Sequence, residues 1–238
     1  MSDFTGRVVM ITGASGNLGN ATGRAFLEAG AKLALVDRHE EQLLKTFPEL
    51  INEPDCFMSG CADLTLQKEV DQVVTAAIGY FNQIDILVNT VGGYRAGTPI
   101  HETSTDTWDF MINLNARTAF ITTHCLVPHM LHQGYGKIIH LAARPGLKGV
   151  ANASAYSASK SAVIRLVESA SAEVKKQGIN INCILPGTID TPQNREAMPY
   201  AEFSRWVTPK SIADVIMFLA SDAGRDIHGA AIPVYGLS

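Results

Sequence analysis

The chain has 238 residues, 46% of them apolar, and carries 19 Lys and Arg against 23 Asp and Glu for a formal net charge of −4. No apolar run approaches the roughly 18 to 20 residues that cross a bilayer, and no basic run offers the footprint of a nucleic-acid binder, so neither membrane nor nucleic acid is an expected partner. Met1-Ser2-Asp3-Phe4-Thr5-Gly6-Arg7 lacks a basic n-region followed by an apolar h-region, and Cys56, Cys61, Cys125 and Cys183 form no CxxC pair, so a cytoplasmic protein with free thiols is expected.

Val8-Val9-Met10-Ile11 is a short apolar run of strand type, followed by Thr12-Gly13-Ala14-Ser15-Gly16-Asn17-Leu18-Gly19 and a helical stretch with Ala21, Ala25, Phe26 and Leu27 on its apolar positions. Strand, glycine turn and helix in this order aim the N–H groups of a helix N-terminus at a pyrophosphate, and the glycines permit the turn and the ligand's close approach. Gly13, Ser15, Gly16, Asn17, Leu18 and Gly19 are therefore candidate cofactor contacts. A second strand, Ala31 to Val36, ends at Asp37, eighteen positions after Gly19 and near the ~20 at which a carboxylate meets a ribose diol. Arg38, beside it, is expected as an exposed loop residue, though its guanidinium could pair with a 2′-phosphate if it turned inward.

A helical segment at about 40–51, an irregular strand from Cys56 to Cys61, a helix from Leu66 to Gly79 and the strand Ile84 to Asn89 come next. Strands are then predicted at Gly136–Leu141, Ile179–Leu185 and Ala230–Val234, with helices at Thr105–Gln133, Ser154–Gln177 and Pro209–Ser221. Such alternation implies an α/β fold, a doubly wound parallel sheet with helices on both faces. No repeat, linker or low-complexity tract divides residues 1–238, so one domain is expected.

Tyr156 and Lys160 stand four residues apart on the predicted helix from Ser154, hence on one face, where an ammonium can lower the pKa of a phenol and make it a usable acid. His124, His129 and His132 have helical spacing, but no HExxH motif or acidic partner accompanies them and no metal site is expected. The segment from Thr188 to Val207 leaves a strand end, carries Tyr200, Phe203 and Trp206, and is a candidate lid.

Thr12-Gly13 with Gly19, Asp37, Asp63-Leu64, Asn89-Thr90-Val91-Gly92, Asn115, Tyr156-x-x-x-Lys160 and Pro186-Gly187-x-x-x-Thr191 form an ordered set that resembles the short-chain dehydrogenase/reductase family over essentially the whole chain. The resemblance implies a single-domain Rossmann-type subunit using NAD(H) or NADP(H) without metal. It further implies that Asp63 and Leu64 contact the adenine, and that Asn89 and Gly92 lie beside the adenosine ribose. Tyr156 matches the proton donor, Lys160 the residue that binds the nicotinamide ribose and tunes the tyrosine, and Asn115 a member of the proton relay. Pro186, Gly187, Thr188, Ile189 and Thr191 match the stretch that holds the carboxamide. The family's subunits form homodimers or homotetramers through paired long helices, so the helices from Thr105 and Ser154 are the candidate interface. Asp37 favours NAD(H), with NADP(H) the alternative.

Three departures from the family pattern bear on the chemistry. Asn17 stands where the middle glycine of the turn belongs, and asparagine is expected to tolerate the left-handed backbone there. Thr90 and Val91 replace the inner members of an Asn-Asn-Ala-Gly element. Ala143 occupies the place of a serine that donates a hydrogen bond to the reacting carbonyl oxygen, a donor whose loss elsewhere costs about 2.7 to 4 kcal/mol. Segments 91–97, 141–149 and 189–199 resemble the dihydropteridine reductase branch, which also carries alanine there and reduces a delocalised ring. The expected function is hydride transfer to a small conjugated substrate, with a quinonoid dihydropterin the sharpest candidate. The alternatives are a carbonyl/alcohol dehydrogenase with a compensated serine and a catalytically weak dinucleotide-binding scaffold.

Overall fold

The computed structural model describes residues 3–237; Met1, Ser2 and Ser238, with that part of the leader reading, lie outside the described residues. The strands are β1 (Val8–Thr12), β2 (Lys32–Val36), β3 (Cys56–Ser59), β4 (Ile86–Asn89), β5 (Gly136–Leu141), β6 (Ile179–Pro186) and β7 (Ala231–Val234). They form one parallel sheet in the order β3-β2-β1-β4-β5-β6-β7. The helices are α1 (Asn17–Glu28), α2 (Glu40–Thr46), α3 (Gln67–Phe81), α4 (Thr105–Met111), α5 (Thr118–Gln133), α6 (Ser154–Val174), α7 (Pro192–Ala197) and α8 (Pro209–Ala220).

Strand alternation divides the core in two. Val8 and Met10 of β1 and Leu87 of β4 pack with Val74 of α3, Leu126 of α5 and Ile164 of α6. Val9, Ile11, Ile86 and Val88 point the other way and pack with Phe26 of α1, Leu43 of α2 and Ile216 of α8. Because both strand faces are covered, the strands read as continuous apolar runs rather than alternating ones.

The predicted elements form, with three differences. The helix expected at about 40–51 ends at Thr46 and gives way at Phe47 to a 3-10 turn, Pro48–Leu50, whose proline cannot continue the helix. The helix expected at Thr105–Gln133 is interrupted between α4 and α5 by a π-helical turn, Ile112–Arg117. The candidate lid contains α7, which begins with Thr191 capping the Asn194 N–H at 3.2 Å and Pro192 in the first turn. That helix has no apolar periodicity, so only its capping residues announce it.

Strand order reverses between β1 and β4, since β2 and β3 lie on one side and β5 to β7 on the other. A crevice at the carboxyl ends of β1 and β4 is the expected ligand site of such a sheet. The segments that follow β1 to β6 carry the residues expected at the site to that edge.

Candidate active site

The glycine turn after β1 is built by the glycines at its ends. Gly13 adopts φ +69°, and a Cβ on it would lie 2.9 Å from Thr90 Oγ1. A Cβ on Gly19 would collide with the Gly13 carbonyl and lie 2.8 Å from Ala14 Cα. Asn17 is the first residue of α1 and has no positive φ, so the left-handed tolerance expected of it is not used. The fold places the left-handed residue at Gly13 and lets the helix begin at position 17. Asn17 Nδ2 instead donates to Gln193 Oε1 of α7 at 2.9 Å, tying the glycine turn to the segment after β6. No side chain caps α1 and no acidic residue occupies its first turn. Its first N–H groups and dipole thus suit a bound anion, and this cradle fits a dinucleotide pyrophosphate.

Asp37 follows β2, and its carboxylate accepts from Ser15 N (2.9 Å) and Oγ (2.7 Å), Arg38 N (2.7 Å) and His39 N (3.2 Å). These donors fix it at the end of the turn, where a ribose diol can donate to it. Arg38 is exposed, and its charge contributes to lowering the pKa of Asp63, after the hydrogen bonds from Thr65. Asp63 accepts from Thr65 N at 2.9 Å and Oγ1 at 2.7 Å, while Leu64 is buried.

After β4, Asn89 turns inward. Its Oδ1 accepts from Thr12 Oγ1 at 2.7 Å and its Nδ2 donates to His140 Nδ1 at 3.3 Å. Its main chain is what it can offer a cofactor. Thr90 Oγ1 donates to the Thr12 carbonyl at 2.8 Å, which stitches β4 to the glycine turn and gives that departure a local role. A Cβ on Gly92 would stand 2.9 Å from Asn115 Oδ1 and 3.0 Å from Lys160 Nζ, so only a glycine lets these two groups flank the loop.

Asn115 sits in the π-helical turn, buried, and its amide pairs with Gly93 in both directions: Nδ2 to O at 3.1 Å, and N to Oδ1 at 3.0 Å. Its Nδ2 also donates to Ser159 Oγ at 3.0 Å, and Ser159 Oγ donates to the Tyr156 carbonyl at 2.8 Å. Ser159 was not nominated from sequence; its place between Tyr156 and Lys160 was the available signal.

Lys160 is buried and its Nζ donates to the Leu141 carbonyl at 2.8 Å, joining α6 to the end of β5. Burial pulls its pKa down to about 8, while burial, and then Tyr94, push Tyr156 up to about 12. The expected lowering of the phenol by the lysine is therefore not found. Desolvation dominates at the phenol, and the ammonium's hydrogen bond goes to the strand. Tyr94 meets Tyr156 edge-on, with ring centroids 4.8 Å apart and planes at 82°. Ala143 is buried two residues past β5, where the chain turns into a short 3-10 segment at Arg144–Gly146.

The stretch after β6 is pinned by the sheet and by itself. Gly187 N donates to the Val234 carbonyl at 2.9 Å, the Thr188 carbonyl accepts from Val207 N at 3.0 Å, and the Ile189 carbonyl accepts from Asn194 Nδ2 at 2.8 Å. Pro186 ends β6 and Thr191 caps α7. Tyr200 is fully exposed, whereas Phe203 and Trp206 pack together at 4.9 Å. Among the described residues no group of three or more His, Cys, Asp or Glu side chains is arranged for a metal, and His124 stacks on Phe120 at 5.7 Å.

The sequence model of the short chain dehydrogenases matches residues 7–201. The chain belongs to the short-chain dehydrogenase/reductase family. As a member it is an NAD(P)-dependent oxidoreductase. The family relative "Dehydrogenase/reductase SDR family member 6" of Rattus norvegicus is 32% identical, over 99% of this chain and 98% of its own length. A subunit of Thauera aromatica (2S)-[(R)-hydroxy(phenyl)methyl]succinyl-CoA dehydrogenase is 33% identical, over 97% of this chain and 95% of that one. The solved structure of NAD+-bound xylitol dehydrogenase superposes with a TM-score of 0.87 at 28% identity, covering 98% of this chain and 99% of that one.

Proposed function

We propose that this short-chain oxidoreductase interconverts a small alcohol and its carbonyl, with NAD(H) preferred over NADP(H). The observation that carries the reading is the meeting of Lys160, Asn115 and Gly92 at the crevice, with Tyr156 four residues from Lys160 on the same helix. Bound nicotinamide cofactor supplies or accepts a hydride. The protein's residues bind, orient and move the proton. Gly13, Ser15, Gly16, Asn17, Leu18 and Gly19 hold the pyrophosphate, Asp37 accepts from the adenosine ribose, and Asp63 and Leu64 flank the adenine. Asn89 and Gly92 line the ribose side through their main chain, and Pro186 to Thr191 hold the carboxamide end. Lys160 has two N–H groups beyond the one on Leu141, and these bind the nicotinamide ribose. Tyr156 carries the proton at its hydroxyl. Asn115 holds the loop after β4 against α6.

Relatives named as dehydrogenases of hydroxylated substrates support the carbonyl reading. Ala143 favours a second one, a delocalised substrate such as a quinonoid dihydropterin, because hydride addition to such a ring needs no donor at a localised oxyanion. We place the protein in the cytoplasm as a one-domain subunit of a homodimer or homotetramer joined through α5 and α6. No helix among the described residues is long and apolar enough to cross a membrane.

The test is Tyr156→Phe, assayed by NADH oxidation with a panel of ketones, quinones and quinonoid pterins. Turnover should fall more than tenfold, over ~1.4 kcal/mol, with NADH affinity nearly unchanged because the ring remains. Retention of more than a tenth of kcat would require another acid.

A further inference from the structure

Ala143 leaves the site without its usual second donor, and the loop after β4 brings a hydroxyl of its own. Tyr94 is 71% exposed, yet its ring stands edge-on to Tyr156 with centroids 4.8 Å apart. Its loop is anchored on both sides. Asn115 clasps the Gly93 N–H and carbonyl at 3.0 and 3.1 Å, the Arg95 guanidinium lies 4.0 Å over the Phe110 ring, and Gly97 N donates to the Asn152 carbonyl at 2.7 Å. Among the described residues neither the Tyr94 nor the Tyr156 hydroxyl makes a hydrogen bond to protein. A pinned loop that holds an aromatic residue in solvent, against the candidate acid and with its hydroxyl unspent, is arranged for a ligand rather than for packing.

We propose that Tyr94 donates the hydrogen bond to the substrate's carbonyl oxygen that Ala143 cannot, so that two phenols share the developing negative charge. This rests on the carbonyl reading of the site. Tyr94 keeps its own proton throughout; the oxygen takes its proton from Tyr156. A phenol is a better donor than an aliphatic hydroxyl, and its longer reach lets it approach from the loop after β4 instead of from β5. The electrostatic influence of Tyr94 on the Tyr156 phenol agrees with the two groups acting in one small space. Ser154 is the rival donor; it lines a neighbouring cavity of about 140 Å³ with Arg95 and Asn152, and Tyr156 is not among the residues bounding that cavity.

The experiment compares wild type, Tyr94→Phe, Ala143→Ser and the double variant, using NADH with 2,3-butanedione and 1-phenyl-1,2-propanedione as carbonyl probes. Phenylalanine keeps the edge-on ring, so folding and NADH affinity serve as controls. Tyr94→Phe should lower kcat at least tenfold, toward the 10²–10³ that one oxyanion donor is worth elsewhere. Adding Ala143→Ser to it should restore most of that loss, whereas Ala143→Ser alone should change kcat less than threefold. The basic limb of the kcat/KM profile should also move to lower pH in Tyr94→Phe, a shift that a packing role would not produce. Unchanged turnover in Tyr94→Phe, or a loss that Ala143→Ser leaves unmended, overturns the proposal while the carbonyl reading stands. A wild type that binds NADH but reduces neither diketone overturns both.

Discussion

Single residues in this protein often act by what they hold. Asp37 receives four donors from the turn and from its own loop, which fixes its carboxylate at the end of the glycine turn, and the proposed NAD(H) preference rests on its repelling a 2′-phosphate there. Asp37→Ala should weaken NADH and narrow its advantage over NADPH, read by fluorescence titration at moderate salt; equal affinities in the wild type would remove the basis for the preference. His140 shows the opposite economy. It is fully enclosed, accepts at Nδ1 from Asn89, and so donates from Nε2 to Thr123 Oγ1 at 2.8 Å in its neutral form. Burial, and after it the Lys160 charge, hold its pKa down to about 3 against an ordinary 6.5. Below pH 6.5 the unfolded chain therefore takes up a proton that the native chain refuses, and stability is lost as pH falls toward 3. The cost is on the order of 3 kcal/mol by pH 4.5. Urea unfolding of His140→Gln should give a lower stability at pH 7 but a flatter decline to pH 4.5 than wild type. Parallel declines would mean that His140 does not set the acid limb.

Among elements, α1 and α7 are coupled across the crevice through Asn17 and Gln193, and each end of that contact depends on local backbone chemistry. The glycine turn can close only because nothing projects from residue 19 toward the Gly13 carbonyl. Gly19→Ala should shift the start of α1, abolish NADH binding in a calorimetric titration and lower the melting temperature. Unimpaired NADH binding would mean that α1 does not hold the pyrophosphate. Asn17→Ala should leave the turn intact and free α7. The lost bond is exposed and is worth about 0.5–1.5 kcal/mol, so amide exchange over 192–197 should quicken up to about tenfold with little change elsewhere. Exchange confined to wild-type rates would show that Thr191 and the Asp190–Arg195 pair, at 2.6 Å, hold that helix alone. The π-helical turn has a comparable role on the other side of the sheet, since it aims Asn115 at Gly93 and so sets the loop that bears Tyr94. π-turns of this kind are frequent at functional sites.

For the molecule as a whole, part of the exposed apolar surface lies on α4 and on α5, one of the two helices proposed to join subunits. Trp108 of α4 and Phe120 and Leu131 of α5 are exposed, although α5 also buries a full apolar face; of α4 only Met111 is buried. A homodimer or homotetramer would cover them. Sedimentation velocity of the wild type should show a mass of at least two 25.6 kDa chains, and Phe120→Asp should shift it to a lower species. A wild-type monomer at micromolar concentration would remove α5 as an interface.

Local pattern determined the alternating elements, the glycine turn, Asp37 and the Tyr156–Lys160 pair, because strand periodicity, turn chemistry and helical spacing are properties of neighbouring residues. Asn115 and the residues after β6 were legible only through the family likeness, since no local signal ties a lone asparagine or a Pro-Gly pair to a cofactor. Tertiary structure decided where Lys160 spends its proton, turning it to the Leu141 carbonyl, and which way Asn89 faces. It also decided that Asn17 bridges to Gln193 rather than bending the turn, and that Tyr94 meets Tyr156 across 62 positions of chain. These outcomes depend on which strand ends the sheet brings together and on how deeply each group is buried. Hydrogen-bond partners and desolvation are set by that assembly, not by the order of residues along the chain.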